Sequence, residues 1–237
     1  MTSSEYGERL TASLPDIRER ISKAAERSGR SSDEITLVAV TKAHPIEAVD
    51  AVLSHGLFDV GENRAEELAW KRDKIHDPAV RWHMIGHVQG RKAQSLVGKT
   101  DLVHSIDSIR LAERLSRAAF ETDSKVSVLL QVNTSGEETK SGLQGRGLID
   151  EIVSILALQG LKVRGLMTMA PFTDDVALLR RTFAAVRGLH EELREEEGYC
   201  GDHLSMGMTN DFEIAIEEGS TMIRIGTALF GKRAAHD

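Results

Sequence analysis

The chain has 237 residues, 41% of them hydrophobic, and a formal charge of −7 from 37 acidic and 30 basic residues. Such a chain is long enough to bury a complete core. Its acidic balance, without a dense run of Lys and Arg, argues against a nucleic-acid groove or an anionic membrane surface as partner. The sequence shows no signal peptide and no apolar run long enough to cross a bilayer. Its single cysteine, Cys200, excludes an internal disulfide and suits a reducing compartment, so we expect a cytoplasmic protein.

The first segment has the spacing of an amphipathic helix. Between Leu10 and Ala24, apolar residues recur at intervals of three and four, which is typical of a helix that buries one face. Pro15 is expected either to kink this helix or to begin its main part, and Gly29 is expected to end it. The sequence therefore predicts an N-terminal helix within residues 1–30.

Strand-like and helical patterns then alternate along the chain. Apolar, β-branched runs predict eight strands, at 35–42, 58–62, 81–86, 102–106, 125–133, 161–169, 203–208 and 222–226. Helical patterns separate them, at about 45–54, 64–76, 90–97, 108–121, 147–158, 173–194 and 210–218.

This alternation predicts an α/β fold with a parallel sheet. A (β/α)8 barrel of the TIM type needs about this many residues. An open, doubly wound sheet is the alternative, but no G-x-G-x-x-G follows the first strand. We expect one domain over residues 1–237, with a barrel at 35–231 preceded by the extra N-terminal helix.

The first predicted strand, ITLVAVTK, ends on a lysine. Because side chains alternate along a strand, Lys42 would share a face with Val40 and Val38. Apolar neighbours would lower the pKa of Lys42 and so favour the neutral amine that attacks a carbonyl to form a Schiff base. The alternative is a lysine that extends from a strand end into water.

The last two predicted strands end in residues suited to a phosphate. In TIM-type barrels the loops after strands seven and eight frequently bind one. Ser205 and Thr227 offer hydroxyl groups, Gly226 lets the backbone come close, and Arg224 shares a strand face with Gly226. Ordinary tight turns and helix caps are the alternative. Together with Lys42, these loops predict a site for pyridoxal 5′-phosphate (PLP), which carries both an aldehyde and a phosphate.

Six segments together resemble a known family. In chain order between about residues 35 and 231, they are VAVTKAHP, GENRAEEL, RWHMIGHVQGRK, QVNTSGEETKSG, RGLMTMAP and LSMGMTNDFEIAIEEGSTMIRIGTALFG. They are similar to segments of the pyridoxal phosphate homeostasis proteins, a family of PLP-binding barrels resembling the N-terminal domain of alanine racemase. The resemblance implies a protein of intracellular vitamin B6 homeostasis that holds PLP and buffers it or delivers it to PLP-dependent apo-enzymes, with effects on amino-acid balance.

The resemblance also implies roles for single residues. From VAVTK it implies Lys42 as the Schiff-base lysine; the other implied cofactor contacts are Ser205, Gly226 and Thr227 at the phosphate, Arg224 beside the pyridine nitrogen, and Asn63 near the cofactor. The chain departs from the family pattern in QGRK at 89–92, where an asparagine would be expected beside the lysine. The contacts of that loop are therefore open.

Several features argue for a cofactor carrier and against an enzyme. A guanidinium at Arg224 would disfavour protonation of the pyridine nitrogen, which makes the ring a poorer electron sink. A two-base racemase needs a second acid/base group, which the related racemases take from an additional domain that we do not expect here. Tyr6 and Tyr199 are expected to lie away from the site. His44 and His87 are conceivable bases, although such histidines are more often structural.

The sequence leaves two alternative functions open and argues against a metal site. A PLP-dependent, racemase-like enzyme is the first alternative, and a cofactor-free Schiff-base aldolase, which also places a lysine on a barrel strand, is the second. No metal is predicted, because His83 and His87 on one strand would lie about 13 Å apart. We expect a monomer with no nucleic-acid or membrane partner.

Overall fold

The computed structural model describes residues 2–134 and 141–231. Its centre is a closed barrel of eight parallel strands in chain order, in which the eighth strand pairs with the first. The strands, β1 to β8, are Thr36–Val40, Asp59–Glu62, Arg81–Met84, Leu102–Ile106, Val126–Gln131, Leu161–Met167, His203–Ser205 and Met222–Ile225. The predicted (β/α)8 fold is confirmed. Residues 135–140, within the QVNTSGEETKSG segment, lie outside the described ranges.

Helices precede the barrel and alternate with its strands. The α-helices, α1 to α8, are Ser3–Arg27, Ile46–Ser54, Ala65–Arg72, Ile109–Phe120, Leu148–Leu156, Val176–Leu193, Phe212–Glu217 and Thr227–Phe230. Two 3₁₀ helices cover Ser32–Glu34 and Gly90–Leu96, and the second of these occupies the place of a predicted α-helix. None of the helices in the described ranges combines the length and the apolar composition that a membrane-spanning helix requires.

The strands pack on both faces, as parallel strands of a closed barrel do. On β8, Ile223 and Ile225 belong to the large apolar core that the outer helices share, whereas Met222 packs with a second cluster. This smaller cluster, which lies in the barrel interior, consists of Val38, Leu102, Leu129, Met167 and Met222. Because side chains alternate, Arg224 on β8 points to the inside with Met222.

Helix α1 is continuous and has defined ends. It begins at Ser3 behind a capping box, so the prediction that Pro15 begins its main part is wrong; the proline lies inside the helix. The helix ends at Arg27, and Gly29 follows with a φ of +71°, as predicted for the stop. There the N–H of Gly29 donates to Glu26 and that of Arg30 to Ala25, which satisfies the last carbonyl groups.

Seven of the eight strands are shorter than predicted, and two of them, β1 and β7, end just before residues of the site. Strand β1 ends at Val40 and not at Lys42, and β7 ends at Ser205 and not at Met208. Gly207, with a φ of +96°, turns the chain out of β7. The extra residues therefore belong to the loops that form the site.

Candidate functional site

A cavity of about 690 Å³ opens at the carboxyl ends of the strands, where TIM-type barrels hold their active sites. It brings together five of the six residues that the sequence predicts for the cofactor: Lys42, Asn63, Arg224, Gly226 and Thr227. The sixth, Ser205, is fully buried and does not line the cavity. The loops after β1, β2, β3, β6, β7 and β8 all contribute to the walls.

Lys42 lies in a turn and not on the strand itself. The turn follows β1, and its next residue, Ala43, has a φ of +58°, which residues other than glycine rarely adopt. Lys42 is half-buried and lines the cavity together with Val40, whereas Val38 packs in the barrel interior below them. The side chain therefore reaches the predicted cavity, although from a loop.

Arg224 forms the floor of the cavity and is 5% exposed. Its Nη1 donates to the carbonyl oxygen of Ser205 at 2.8 Å and to Oγ of the same residue at 2.6 Å. Its Nη2 donates to the carbonyl oxygen of Thr168 at 2.9 Å. Burial lowers the pKa of Arg224 to about 10, with Asp211 opposing the shift. The guanidinium therefore stays charged at neutral pH and is held in one orientation.

Below Arg224, a chain of hydrogen bonds runs through the barrel interior. Oγ of Ser205 lies 2.9 Å from Nδ1 of His104, and Nε2 of His104 lies 2.9 Å from Nδ1 of His83. Nε2 of His83 in turn lies 3.0 Å from Oδ1 of Asp59. The carboxylate can only accept, so with neutral imidazoles each group donates towards Asp59, starting from Arg224. Burial holds the pKa of His104 well below its usual value, which keeps it neutral.

This chain explains where the structure puts Ser205. Its hydroxyl accepts from Arg224 and donates to His104, so it supports the arginine from beneath. The phosphate contact of Ser205 stays a prediction. Sequence analysis missed His104 entirely and treated His83 only as a rejected metal ligand, because a single histidine within an apolar strand carries no signal of its partners.

The loops after β7 and β8 meet beside the cavity. Thr209, which sequence analysis missed, lines the cavity, and its Oγ1 accepts from the N–H of Ala228 at 3.3 Å. Gly226 precedes Thr227, the first residue of α8, and a Cβ at Gly226 would lie 3.3 Å from the Cβ of Val40. Hydroxyl and backbone groups therefore converge at this wall, as the sequence predicts for a phosphate. The SMGMT motif could have indicated Thr209, because Thr209 lies two residues after Gly207, the glycine that turns the chain out of β7.

Asn63 and His87 form the wall on the β2 and β3 side. A Cβ at Gly86 would lie 2.3 Å from the carbonyl oxygen of Asn63, so only glycine fits against it. His87 is exposed, and its Nδ1 lies 2.9 Å from Oδ2 of Asp107. Of the two histidines that were considered as bases, His87 lines the cavity and His44 does not. Among the described residues, no three His, Cys, Asp or Glu side chains are grouped to hold a metal ion.

Comparisons with known proteins identify the family of this chain. The family profile described as "Alanine racemase, N-terminal domain" matches residues 12–234. A pyridoxal phosphate homeostasis protein of Aquifex aeolicus is 41% identical, over 93% of this chain and 96% of its own length. This chain belongs to the pyridoxal phosphate homeostasis protein family.

Solved structures extend the comparison of this family member. PipY from Synechococcus elongatus, solved with PLP bound, has a TM-score of 0.78 and 35% identity, over 88% of this chain and 100% of PipY. Alanine racemase from Corynebacterium glutamicum has a TM-score of 0.73 at 17% identity, over 98% of this chain and 62% of the racemase. The racemase shares the barrel fold with this member of the homeostasis family.

The departure of this family member at 89–92 lies beside the cavity and not in it. Gln89, Arg91 and Lys92 line a smaller cavity of about 260 Å³ that shares Asn63 and His87 with the main one. The residues that line the main cavity do not include the QGRK segment.

The two tyrosines also lie away from the main cavity. The hydroxyl of Tyr6 lies 2.9 Å from Nδ1 of His44, and that of Tyr199 lies 2.6 Å from Nδ1 of His190. Burial raises the pKa of both tyrosines. Neither residue lines the cavity, as the sequence predicts.

Proposed function

We propose that this protein binds PLP in the main cavity, holds it as a Schiff base with Lys42, and takes part in intracellular vitamin B6 homeostasis. The observation that supports this most is the arrangement of Lys42, Arg224 and Thr227 around one cavity. An amine, a buried cation and a hydroxyl group there match the aldehyde, the ring nitrogen and the phosphate of PLP. The name of the relative from Aquifex aeolicus and the PLP-bound PipY structure support the same function.

The residues present fit the cofactor. Nζ of Lys42, in its neutral form, would supply the amine that condenses with the aldehyde of PLP; the aldehyde oxygen would leave as water with the two amine protons. Thr227, Thr209 and the backbone at Gly226 would hold the phosphate, and Asn63 would lie near the ring. When bound, PLP supplies an aldehyde that captures amines and a ring that withdraws electrons.

We propose further that the protein is a cofactor carrier in the cytoplasm, monomeric, and that it buffers PLP or delivers it to apo-enzymes. Arg224 supports a carrier, because two of its N–H-bearing nitrogens are fixed by Ser205 and Thr168 and its charge persists at neutral pH. A fixed cation beside the ring nitrogen disfavours protonation of the ring and so weakens carbanion chemistry.

The experiment that tests this function is the ultraviolet–visible spectrum of the purified protein with PLP, before and after borohydride. We expect a visible Schiff-base band that borohydride bleaches, and a phosphopyridoxyl group on Lys42 in mass mapping. The Lys42→Ala variant is the matched control and should show neither. A wild-type protein that stays colourless and unmodified with added PLP would overturn the proposal and favour a cofactor-free aldolase.

A racemase-like enzyme remains the second candidate, because one observation favours it. His87 lines the same cavity, and its Nδ1 is held by Asp107, which leaves Nε2 as a possible acid/base atom. His87 would then act on the α-proton of an amino acid. Exchange of the α-proton of an amino acid with deuterium from solvent distinguishes this enzyme from a cofactor carrier.

A further inference from the structure

A buried lysine on α3 contacts the turn that carries Lys42. The side chain of Lys71 is 1% exposed. Its Nζ donates to the carbonyl oxygen of Thr41 at 2.9 Å, to Oε1 of Glu62 at 2.6 Å and to Oε1 of Glu67 at 2.9 Å. Since an ammonium has three N–H donors, all of them are used.

The two carboxylates of this cluster also contact the turn directly. Oε1 of Glu62 accepts from the hydroxyl of Thr41 at 2.5 Å, and Oε1 of Glu67 accepts from the N–H of Ala43 at 3.0 Å. Thr41 and Ala43 are the two neighbours of Lys42. Lys71, Glu62 and Glu67, here named the turn clamp, therefore hold the chain on both sides of the lysine that lines the cavity.

The conformation of the turn needs such support. Ala43 has a φ of +58°, in the left-handed region that a residue with a Cβ rarely adopts. Backbone strain of this kind persists only where surrounding contacts fix it, and it concentrates at functional sites. The hydrogen bond from Ala43 to Glu67 supplies one contact, and the two bonds to Thr41 supply the others.

Stability alone is a poor reason for a buried charged cluster. Taking charges out of water costs about as much as their attraction returns, and apolar residues of the same volume often serve as well. The turn clamp also leaves Oε2 of Glu62 without a partner, the one buried side-chain polar atom in that state among the described residues. A costly cluster placed at the Lys42 turn is better explained by what it does for Lys42.

We propose that Lys71, Glu62 and Glu67 are positioning residues, which fix the Lys42 turn so that Nζ is presented to the aldehyde of PLP. This inference rests on the proposed function. It assigns no contact between the turn clamp and the cofactor; the clamp acts through Thr41 and Ala43. Its loss should therefore weaken the Schiff base more than the noncovalent binding of PLP.

Glu67 allows the sharpest test, because its side chain is 22% exposed and its replacement leaves no buried unpaired charge. In Glu67→Ala, the N–H of Ala43 and one N–H of Lys71 lose their acceptor, whereas Glu67→Gln keeps an oxygen there. We expect Glu67→Ala to lower the equilibrium constant for the Schiff base by about three- to tenfold, the range of the one hydrogen bond that Glu67 makes directly to the turn. Glu67→Gln should restore most of it. Glu66→Ala, on the exposed side of the same helix, is the matched control and should behave as wild type.

The measurement separates covalent from total binding. Schiff-base absorbance at saturating PLP gives the covalent fraction, ultrafiltration gives total bound PLP, and a melting curve reports stability. A melting temperature that falls in Glu67→Ala while the covalent fraction stays at the wild-type value would make the turn clamp merely structural and overturn the inference.

Lys71→Met alone would leave the charge of Glu62 buried and unpaired, so it is combined with Glu62→Gln; Glu67, which is 22% exposed, is then the one charged member of the clamp. This double variant should bind PLP noncovalently but show a Schiff-base constant reduced by about tenfold; a wild-type constant would overturn the inference. If the double variant does not fold, the comparison of Glu67→Ala with Glu67→Gln tests the inference. Absence of a Schiff base in the wild type would instead overturn the proposed function, and that result is distinct from a wild-type constant in the variants.

Discussion

Ser205 and Thr227 both carry a hydroxyl group near a strand end, but their surroundings differ. Thr227 lines the cavity at the start of α8. Ser205 is fully buried, and its hydroxyl lies between Arg224 and His104. From these positions, Thr227 would contact a phosphate directly, and Ser205 would act through the orientation of Arg224.

Substitution of each residue by alanine should separate these roles. We expect Thr227→Ala to weaken PLP binding by about 1.5–3 kcal/mol, the contribution of a hydrogen bond to a charged group, and to leave the affinity for pyridoxal, which lacks the phosphate, nearly unchanged. Ser205→Ala should weaken both ligands by the same factor. Titrations with PLP and with pyridoxal give the comparison. A selective loss of PLP affinity in Ser205→Ala would show that Ser205 is a phosphate ligand, as the sequence predicts.

At the scale of elements, the interior hydrogen bonds join strands that are far apart in sequence. Asp59 on β2, His83 on β3, His104 on β4, Ser205 on β7 and Arg224 on β8 are linked in series. At the far end, Arg81 binds the carboxylate of Asp59. The bonds point one way only while both imidazoles are neutral, because a proton on His104 would leave the hydroxyl of Ser205 without an acceptor. The orientation of Arg224 thus depends on a histidine that must not titrate.

This dependence predicts how stability varies with pH. Burial first, and then His83 and Arg224, lower the pKa of His104 below its usual value of 6.5. Below about pH 6.5 the unfolded chain therefore binds a proton there that the folded chain does not, so the free energy of unfolding falls as the pH falls. One such group contributes a slope of at most about 1.4 kcal/mol per pH unit. His190 and His203, whose pKa values burial also lowers, add slopes of the same sign.

The contribution of His104 is isolated by a variant. Urea unfolding of His104→Asn between pH 7 and 5 should show a free energy of unfolding that depends less steeply on pH than in the wild type. The difference should correspond to the uptake of at most one proton on unfolding. His76→Asn, the same substitution on the exposed surface, is the matched control. Equal slopes for His104→Asn and wild type would mean that the interior histidine is not held neutral by the fold.

The order of elements could be predicted from the sequence, but the carboxyl ends of most strands could not. Alternating apolar runs and helical patterns suffice for eight strands in a barrel, since each pattern is local. The end of a strand depends on where its neighbours stop, and the apolar residues 206–208 look like strand although they form a loop. For the same reason Lys42 was predicted on the strand, and it lies beyond it.

The site shows the same division between local and long-range information. The sequence suffices to place four residues at the cavity, because each stands at or next to a predicted strand end, where a barrel gathers its functional residues: Lys42, Arg224, Gly226 and Thr227. The burial of Lys71 could not be predicted, because a lysine in a charged helical segment has the pattern of an exposed face. Its burial follows from Glu62 on another element, and no local pattern gives that pairing.

At the scale of the whole molecule, α1 forms hydrogen bonds both to the loop after β1 and to α8, two segments that flank the cavity. The hydroxyl of Tyr6 binds His44, two residues after Lys42, and Nη1 of Arg9 donates to the carbonyl oxygen of Phe230 at 2.5 Å. Oγ of Ser13 donates to the neighbouring carbonyl oxygen of Leu229 at 3.0 Å. The N-terminal helix therefore supports both the lysine turn and the helix that begins at Thr227.

In this arrangement Tyr6, the tyrosine close to the Lys42 turn, is buried and its hydroxyl is bonded to His44. Tyr6 is 3% exposed and contacts His44 and Phe230, and Tyr199 is bound to His190. A racemase needs acid/base groups on both faces of the substrate α-carbon. In this barrel, His87 with Asp107 is the remaining candidate for the second group.

Exchange of the α-proton of alanine with deuterium from solvent measures that chemistry directly. With PLP bound, we expect exchange by the wild type to stay at the level of Lys42→Ala. Two causes would act together: Arg224, placed beside the ring nitrogen as proposed, would weaken the electron sink, and neither Tyr6 nor Tyr199 lines the cavity. Mass spectrometry of alanine after long incubation is sensitive enough for the comparison. Exchange above the Lys42→Ala level that disappears in His87→Ala would instead establish a racemase-like enzyme and identify His87 as its second base.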